Sequence, residues 1–423
     1  MRKQLEPFQS EGVFFLFSRY HAALGDQPGL GKTLQAIDAS QAVNAKHVLV
    51  VCPASVRTNW YEQVEDRLGH TRGWDIISYN GATDPNRRQF CLRDKYDLWI
   101  GDEIHNCKST ESQRSLAVFG KDGVARRARY KWVLSGTLAP NGRPVELYPL
   151  LKTLCPRFAG YSFAQYTQEF CGAFWDGRER NVKGATQVEK LASMMEGFLL
   201  RRTKKQVYPN RKAPIVERIP VDLTGQELRE VHAAEDEAGG REARISSSYE
   251  KASQMGDTSR LLRLLGAAIV NRVADFVCDQ LESVEKVVVF AHHIEVIDLL
   301  FARFSESGYS PVAYRGGMSD GKKDTAIGKF MRDPACRVFI GQDQAAGEGI
   351  NGLQRVCSTV VDAEPSWVPG ATEQRISRLD RMGLEDDVVN YYLMYAKDTL
   401  SAIVVGVHDR KERTAEKMMG DVV

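Results

Sequence analysis

The segment Gly25-Asp26-Gln27-Pro28-Gly29-Leu30-Gly31-Lys32-Thr33 constrains this chain more than any other. Glycines at 29 and 31 let backbone N–H groups come close to an anion, which a Cβ would hold away. Lys32 adds a cation and Thr33 a hydroxyl ligand, and a helix opening near Lys32 turns its positive end to the same point. A helix starting near Lys32 is compatible with an α/β fold. The residues suit the β- and γ-phosphates of a nucleotide, with Lys32 neutralising them and Thr33 ligating Mg²⁺. Asp26 stands where the strict spacing has Gly, and a Gly-rich turn with a surface lysine is the plainer alternative.

The apolar pattern agrees with an α/β chain. Short apolar runs closed by polar or Gly-rich turns occur at His47–Cys52, Asp97–Gly101 and Lys131–Ser135. A second series runs through Lys286–Ala291, Arg337–Gly341, Ser358–Asp362 and Val388–Leu393. With helix-compatible stretches between them, each series predicts a parallel sheet. Between about 145 and 275 the strand pattern is lost and the chain reads as mostly helical. That middle holds the basic run Arg201-Arg202-Thr203-Lys204-Lys205 and an acidic, Gly- and Ser-containing stretch, Glu235–Ser248. A length of 423 residues, at about 150 per domain, suggests two to three domains.

Composition removes several classes. Apolar residues at 43% and charged residues at 26% exclude a disordered chain. The net charge of +2 excludes a polybasic protein but hides an asymmetry. Residues 1–220 carry 33 Lys and Arg against 22 Asp and Glu, a balance of +11, and residues 221–423 carry 24 against 33, or −9. The eight cysteines lie at least 16 positions apart, which leaves no zinc-ligand spacing and predicts buried free thiols in a reducing compartment. The N-terminus shows no apolar signal core, and no run approaches the roughly 20 apolar residues that cross a bilayer. A soluble, cytoplasmic protein is expected.

Two further elements carry chemistry. Leu98-Trp99-Ile100-Gly101 runs into Asp102-Glu103-Ile104-His105, an apolar strand delivering two acids to its C-terminal end. In a parallel sheet a nucleotide-bound metal belongs there. Asp102 would hold Mg²⁺, and Glu103 would position and deprotonate an attacking water. A surface Asp-Glu pair after an edge strand is the alternative. In Glu373-Gln374-Arg375-Ile376-Ser377-Arg378-Leu379-Asp380-Arg381, Arg378 and Arg381 share a helix face at i,i+3, as do Gln374 and Arg378 at i,i+4. Two guanidinium groups can stabilise charge on a transferred γ-phosphoryl group. Taken alone, the stretch reads better as a solvated charged helix with Asp380 and Glu373 as surface partners.

With these three elements in this order, the sequence resembles the superfamily-two helicase-type motors, and within them the Swi/Snf-like DNA translocases. The resemblance covers nearly the whole chain. Leu5-Glu6-Pro7-Phe8-Gln9 is similar to the adenine-reading segment, with Gln9 the reader. Val51-Cys52-Pro53-Ala54-Ser55 with Asn59-Trp60 resembles the first DNA-contacting motif, and Leu134-Ser135-Gly136-Thr137 with Asn141 and Glu146 the Ser-Gly-Thr-Pro motif. Leu199–Lys205 matches the family's basic block after a helical insertion. Val287–His292, Gly347–Leu353 and Glu364-Pro365-Ser366-Trp367-Val368-Pro369 resemble second-lobe motifs. Departures include Gln27-Pro28 for Glu-Met, Ile104 for Ala or Gly, Ala139 for Pro and Asp380 for His.

The resemblance implies two RecA-like parallel-sheet lobes, at 1–145 and 276–397. Helical insertions and a basic linker would fill 146–275, and a helical brace 398–423. It implies ATP and Mg²⁺ bound through Gln9, Gly29, Gly31, Lys32, Thr33 and Asp102. Glu103, Gln374, Arg378 and Arg381 would complete catalysis, with ATP in a cleft between the lobes. Double-stranded DNA, including forked or branched forms, would contact Ser55, Asn59, Ser135, Thr137, Arg201, Arg202, Lys204, Lys205 and Trp367. His105 would couple the two sites. The expected protein is a monomeric motor that moves along or remodels DNA or protein–DNA complexes without extensive unwinding. Its compactness suits a bacterial cell, or one infected by a virus. An RNA- or single-strand-directed helicase and a non-hydrolysing nucleic-acid-binding module are the alternatives.

Overall fold

The computed structural model describes residues 4–93, 95–177, 179–238, 258–342, 352–366, 369–381, 384 and 388–420. They form two compact units, Met1–Asn210 with Lys411–Val423, and Arg211–Arg410.

The first unit is built on a six-stranded parallel sheet. Its strands are β1 (His21–Leu24), β2 (Val48–Cys52), β3 (Trp74–Ser78), β4 (Leu98–Asp102), β5 (Tyr130–Leu134) and, after the hairpin β6 (Phe174–Trp175) and β7 (Arg180–Asn181), β8 (Leu199–Leu200). They lie in the order β3-β2-β4-β5-β1-β8. The central strands are uninterrupted apolar runs because both faces are covered. In β2, Leu49 and Val51 enter one core cluster, while Val48, Val50 and Cys52 enter the other, the alternation that a pleated strand imposes.

The second unit repeats the plan with β9 (Ile215–Val221), β10 (Val287–Ala291), β11 (Val312–Tyr314), β12 (Val338–Gln342), β13 (Thr359–Asp362) and β14 (Asn390–Ala396), in the order β11-β12-β10-β13-β14-β9. Val287, Val289 and Ala291 of β10 face one cluster and Val288 and Phe290 the other. The doubly covered α/β fold expected from the sequence is present twice.

The middle of the chain is not helical throughout, and the β6–β7 hairpin is one departure. It holds the helices Tyr148–Leu154, Phe163–Phe170, Val188–Met195, Gly225–Glu237 and Thr258–Gln280, but it also gives each sheet an edge strand. β8 is two residues long, and β9 is largely exposed and carries Glu217, Arg218 and Pro220, so neither shows an apolar run. The chain passes from one unit to the other after Asn210, inside this middle stretch. The last helix, Leu400–Met419, begins with Leu400 in a second-unit cluster, and Met418 and Met419 enter a first-unit cluster.

Register places the functional segments of the first unit. Leu24 at the end of β1 pairs with Leu134 of β5, and Asp102 at the end of β4 pairs with the same Leu134. The glycine loop, Ser135 and Asp102 therefore leave three adjacent strands at one carboxyl edge, where α/β sheets bind ligands.

Candidate active site

The loop after β1 enters the helix Lys32–Ala42 through Gly31, whose φ is +76°; Gly29 sits at +92°. Both angles lie in the left-handed region that favours glycine. A Cβ on Gly31 would stand 2.5 Å from Gln9 Nε2. Gln9 itself is buried, accepts a hydrogen bond from the Glu6 N–H at 3.0 Å and donates to the Leu30 carbonyl at 3.3 Å. The expected base-reading residue and the expected phosphate loop are thus in direct contact. Lys32 Nζ folds back to donate to the Asp26 carbonyl at 2.7 Å, and Thr33 follows in the first helical turn.

Asp102 closes β4 with its carboxylate buried. Trp60 Nε1 donates to it at 2.8 Å and the Glu103 N–H at 3.1 Å. Trp60 comes from the helix Arg57–Leu68, and Tyr79 OH donates to the Asp102 carbonyl at 2.6 Å. Glu103 is a non-glycine residue at φ +50°, in the left-handed region that favours glycine. Its Oε2 accepts from Ser135 Oγ at 3.1 Å and lies 3.2 Å from His105 Nδ1, which is also 3.2 Å from Ser135 Oγ. A carboxylate only accepts, so Nδ1 carries hydrogen. His105 thus stands against both Glu103 and Ser135.

Adjacent carboxyls cannot both ionise freely, and this pair is split. Burial, then the charge of Glu103, pushes Asp102 up to about 7. Burial would raise Glu103 too, but His105, Lys32 and Ser135 outweigh it and bring it down to about 2. One acid is an ionised acceptor at neutral pH; the other is poised to gain from a cation.

The residues expected at nucleic acid are placed unevenly. Ser55 is exposed on the short turn Ala54–Val56, and Asn59, partly buried, accepts from Gln63. Ser135 is fully buried with its hydroxyl on Glu103, and its Oγ accepts the Thr137 N–H at 3.3 Å. Both therefore stand with the acidic pair. Arg201 and Arg202 are turned onto the glycine loop: Arg201 donates to the Gly25 and Gly136 carbonyls, and Arg202 pairs with the fully buried Asp26. Lys204 gives its backbone N–H to Gln27, and Lys205 is exposed. Trp367 and the Gly347–Asn351 motif lie outside the described residues.

In the second unit, Gln374 and Arg378 lie on the helix Pro369–Leu379, and Arg381 follows it. Arg381 Nε donates to the Ser377 carbonyl at 2.6 Å. Burial, and then the charge of Arg378, pulls the Arg381 guanidinium down to about 9. Arg211 pairs with Asp380 at 2.6 Å. Among functional neighbours, the sequence reading missed Asp26 as a buried charge, with Gln35, Tyr79 and Arg375. The one available signal was Asp26 itself, an acid in a loop whose spacing asks for glycine.

Residues 8–101 and 76–233 match the SNF2-related domain, and residues 269–383 match the helicase conserved C-terminal domain. The human protein named DNA annealing helicase and endonuclease ZRANB3 is 27% identical over 439 residues, which cover 97% of this chain and 40% of that protein. A Caenorhabditis elegans homologue of SWI/SNF-related matrix-associated actin-dependent regulator of chromatin subfamily A-like protein 1 is 26% identical, with 97% and 61% covered. The Bacillus subtilis (strain 168) protein named uncharacterized ATP-dependent helicase YqhH is 26% identical, with 95% and 76% covered. The chain thus spans about two fifths of the length of ZRANB3. The Sulfolobus solfataricus SWI2/SNF2 ATPase core in complex with dsDNA is 20% identical, with a TM-score of 0.44 over 99% of this chain and 97% of that one. With its motifs in order and more than half its length matched by one family, the chain belongs to the SNF2-related domain family and carries a helicase C-terminal domain as well.

Proposed function

We propose that this chain is a DNA-stimulated ATP phosphohydrolase that translocates on double-stranded DNA, forked or branched forms included, without extensive strand separation. The observation that carries the reading is the split acid pair. An ionised Glu103 and a buried, raised Asp102 stand at the carboxyl edge beside a glycine loop ending in Lys32-Thr33. Family membership and the relatives' names support ATP and DNA as the ligands.

Lys32 would exchange the Asp26 carbonyl for phosphate oxygens, and Gln9 would read the base. Thr33 and Asp102 would hold Mg²⁺. The donor set fits, since both offer hard oxygen and Asp102 gains from a nearby cation. When bound, the ion neutralises charge on the β- and γ-phosphates. Glu103, held by Ser135 and His105, accepts the proton of the attacking water. Arg378 and Arg381 stabilise the charge of the transferred group, and Gln374 orients the water.

Free cysteines at all eight positions support a reducing, cytoplasmic-type compartment, and among the described residues no helix is long and apolar enough to cross a membrane. The deciding experiment measures ATPase rates with duplex, forked and single-stranded DNA and with RNA. Duplex or forked DNA should stimulate most. Glu103→Gln should lower turnover by about 10²- to 10⁴-fold while leaving ATP binding intact. Strongest stimulation by RNA would move the substrate assignment to an RNA-directed helicase. Nucleotide binding without any turnover that Glu103→Gln removes would leave only a binding module.

A further inference from the structure

The strand β8 and the residues after it lie along the glycine loop although about 175 positions separate them in sequence. β8 pairs in parallel with β1, and the contact continues past both strands. Gly25 N–H donates to the Leu200 carbonyl at 2.7 Å, Gln27 N–H to the Arg202 carbonyl at 3.0 Å, and Lys204 N–H to Gln27 Oε1 at 2.7 Å. Arg201 Nη1 adds bonds to the carbonyls of Gly25 at 2.9 Å and Gly136 at 2.7 Å.

Arg202 does more. Its Nε and Nη2 meet Asp26 Oδ1 and Oδ2 at 3.0 and 2.5 Å, the two-point geometry a planar guanidinium offers a carboxylate. Nη2 also reaches Gln35 Oε1 at 2.9 Å, and Nη1 donates to the Phe8 carbonyl. The guanidinium carbon lies 5.2 Å from the Phe8 ring centre. One side chain therefore touches the residue before Gln9, the glycine loop and the first turns of the helix after Lys32. Gln35 closes the circuit by donating to Asp26 Oδ2 at 3.3 Å and to the Leu30 carbonyl at 3.1 Å. The cluster is closely packed: a Cβ on Gly12 would stand 1.8 Å from Gln35 Oε1 and 2.8 Å from Arg202 Nη2.

We propose that Arg202, assisted by Arg201, is a positioning residue of the nucleotide site, setting the distance between the base-reading Gln9 and the glycine loop. It rests on the reading of that loop as an ATP site. A lysine cannot replace it, because an ammonium lacks the planar fork that serves Asp26, Gln35 and Phe8 together. The two arginines of the basic block consequently bind the protein's own loop, whereas Lys205 is exposed.

The test uses the full chain, fluorescent ADP and GDP with Mg²⁺, and duplex DNA over a range of salt. Arg202→Lys keeps the charge, so folding is checked by circular dichroism, and Asp26→Asn removes the same pair from its other side. Either variant should weaken ADP binding about 10- to 100-fold and narrow the preference for ADP over GDP, with the DNA salt dependence unchanged. The double variant should be little worse than either single one. General destabilisation would lower both nucleotides' affinities alike and leave their ratio at the wild-type value, which would overturn the proposal. So would wild-type ADP affinity with a shallower salt dependence, the behaviour of a DNA-phosphate contact. Failure of the wild-type chain to bind ADP would instead remove the ATP-site reading itself.

Discussion

Asp102 and Glu103 are neighbours, yet the fold sends them in opposite directions, and the difference is measurable as stability. Asp102 rises from 3.8 to about 7, so folding favours its protonated form. That contribution is complete below about pH 4 and lost as pH rises through 7. Glu103 falls to about 2, so its contribution is present above its ordinary 4.5 and is lost only as pH falls through 2. Between pH 5 and 8 Asp102 alone of the pair changes. Nucleotide-free wild type, compared with Asp102→Asn, should therefore lose on the order of 2 kcal/mol between pH 5 and pH 8. Thermal melts of both proteins across that range check it. Parallel pH profiles would mean that the buried acid carries no such penalty. The same residue makes the stability cost functional, since the charge that folding resists is the one a cation would use.

At the scale of elements, the helix Pro369–Leu379 is hung on its sheet by a buried ion pair. Arg375 meets Asp362 at the end of β13, and Tyr391 of β14 donates to the same carboxylate at 2.6 Å. Asp362 is wholly buried and Arg375 nearly so. Arg375→Ala leaves an uncompensated buried charge and should destabilise the second unit by about 3–5 kcal/mol, whereas Arg375→Met with Asp362→Leu should recover most of it. Urea unfolding of the full chain separates the two outcomes. This pair was invisible in the sequence, where Asp362 ended a strand and Arg375 sat among other helix charges. What could be read followed from local demands. β2, β4, β10 and β13 announce themselves because both their faces are buried, and the glycine loop because its backbone allows few residues. β8 and β9 are edges without such a demand. A basic run looks the same whether its side chains face solvent or turn inward, so Arg201 and Arg202 could not be distinguished from Lys205.

Over the whole molecule, the charge asymmetry survives redrawing along the two compact units. Met1–Asn210 with Lys411–Val423 holds 33 basic and 24 acidic residues, a balance of +9, and Arg211–Arg410 holds 24 against 31, or −7. A DNA backbone releases counterions wherever basic groups neutralise it, so the positive unit should own most of the salt dependence. Arg201 and Arg202 count toward that +9 but are committed to Gly25, Gly136 and Asp26, so the half-buried Lys204 and the exposed Lys205 are the pair of the basic block to test. Replacing both lysines by alanine should reduce the slope of log affinity against log salt by up to about 2, near 0.9 for each phosphate no longer neutralised. Lys322 and Lys323 of the second unit serve as the matched control. Alanine at both should change the slope by less than about 1, because the field around them is set by a net negative unit. Fluorescence anisotropy of labelled duplex DNA between about 50 and 200 mM salt gives both slopes. An equal decrease from the two pairs would show that the phosphate grip follows local lysines and not the charge of the unit that carries them.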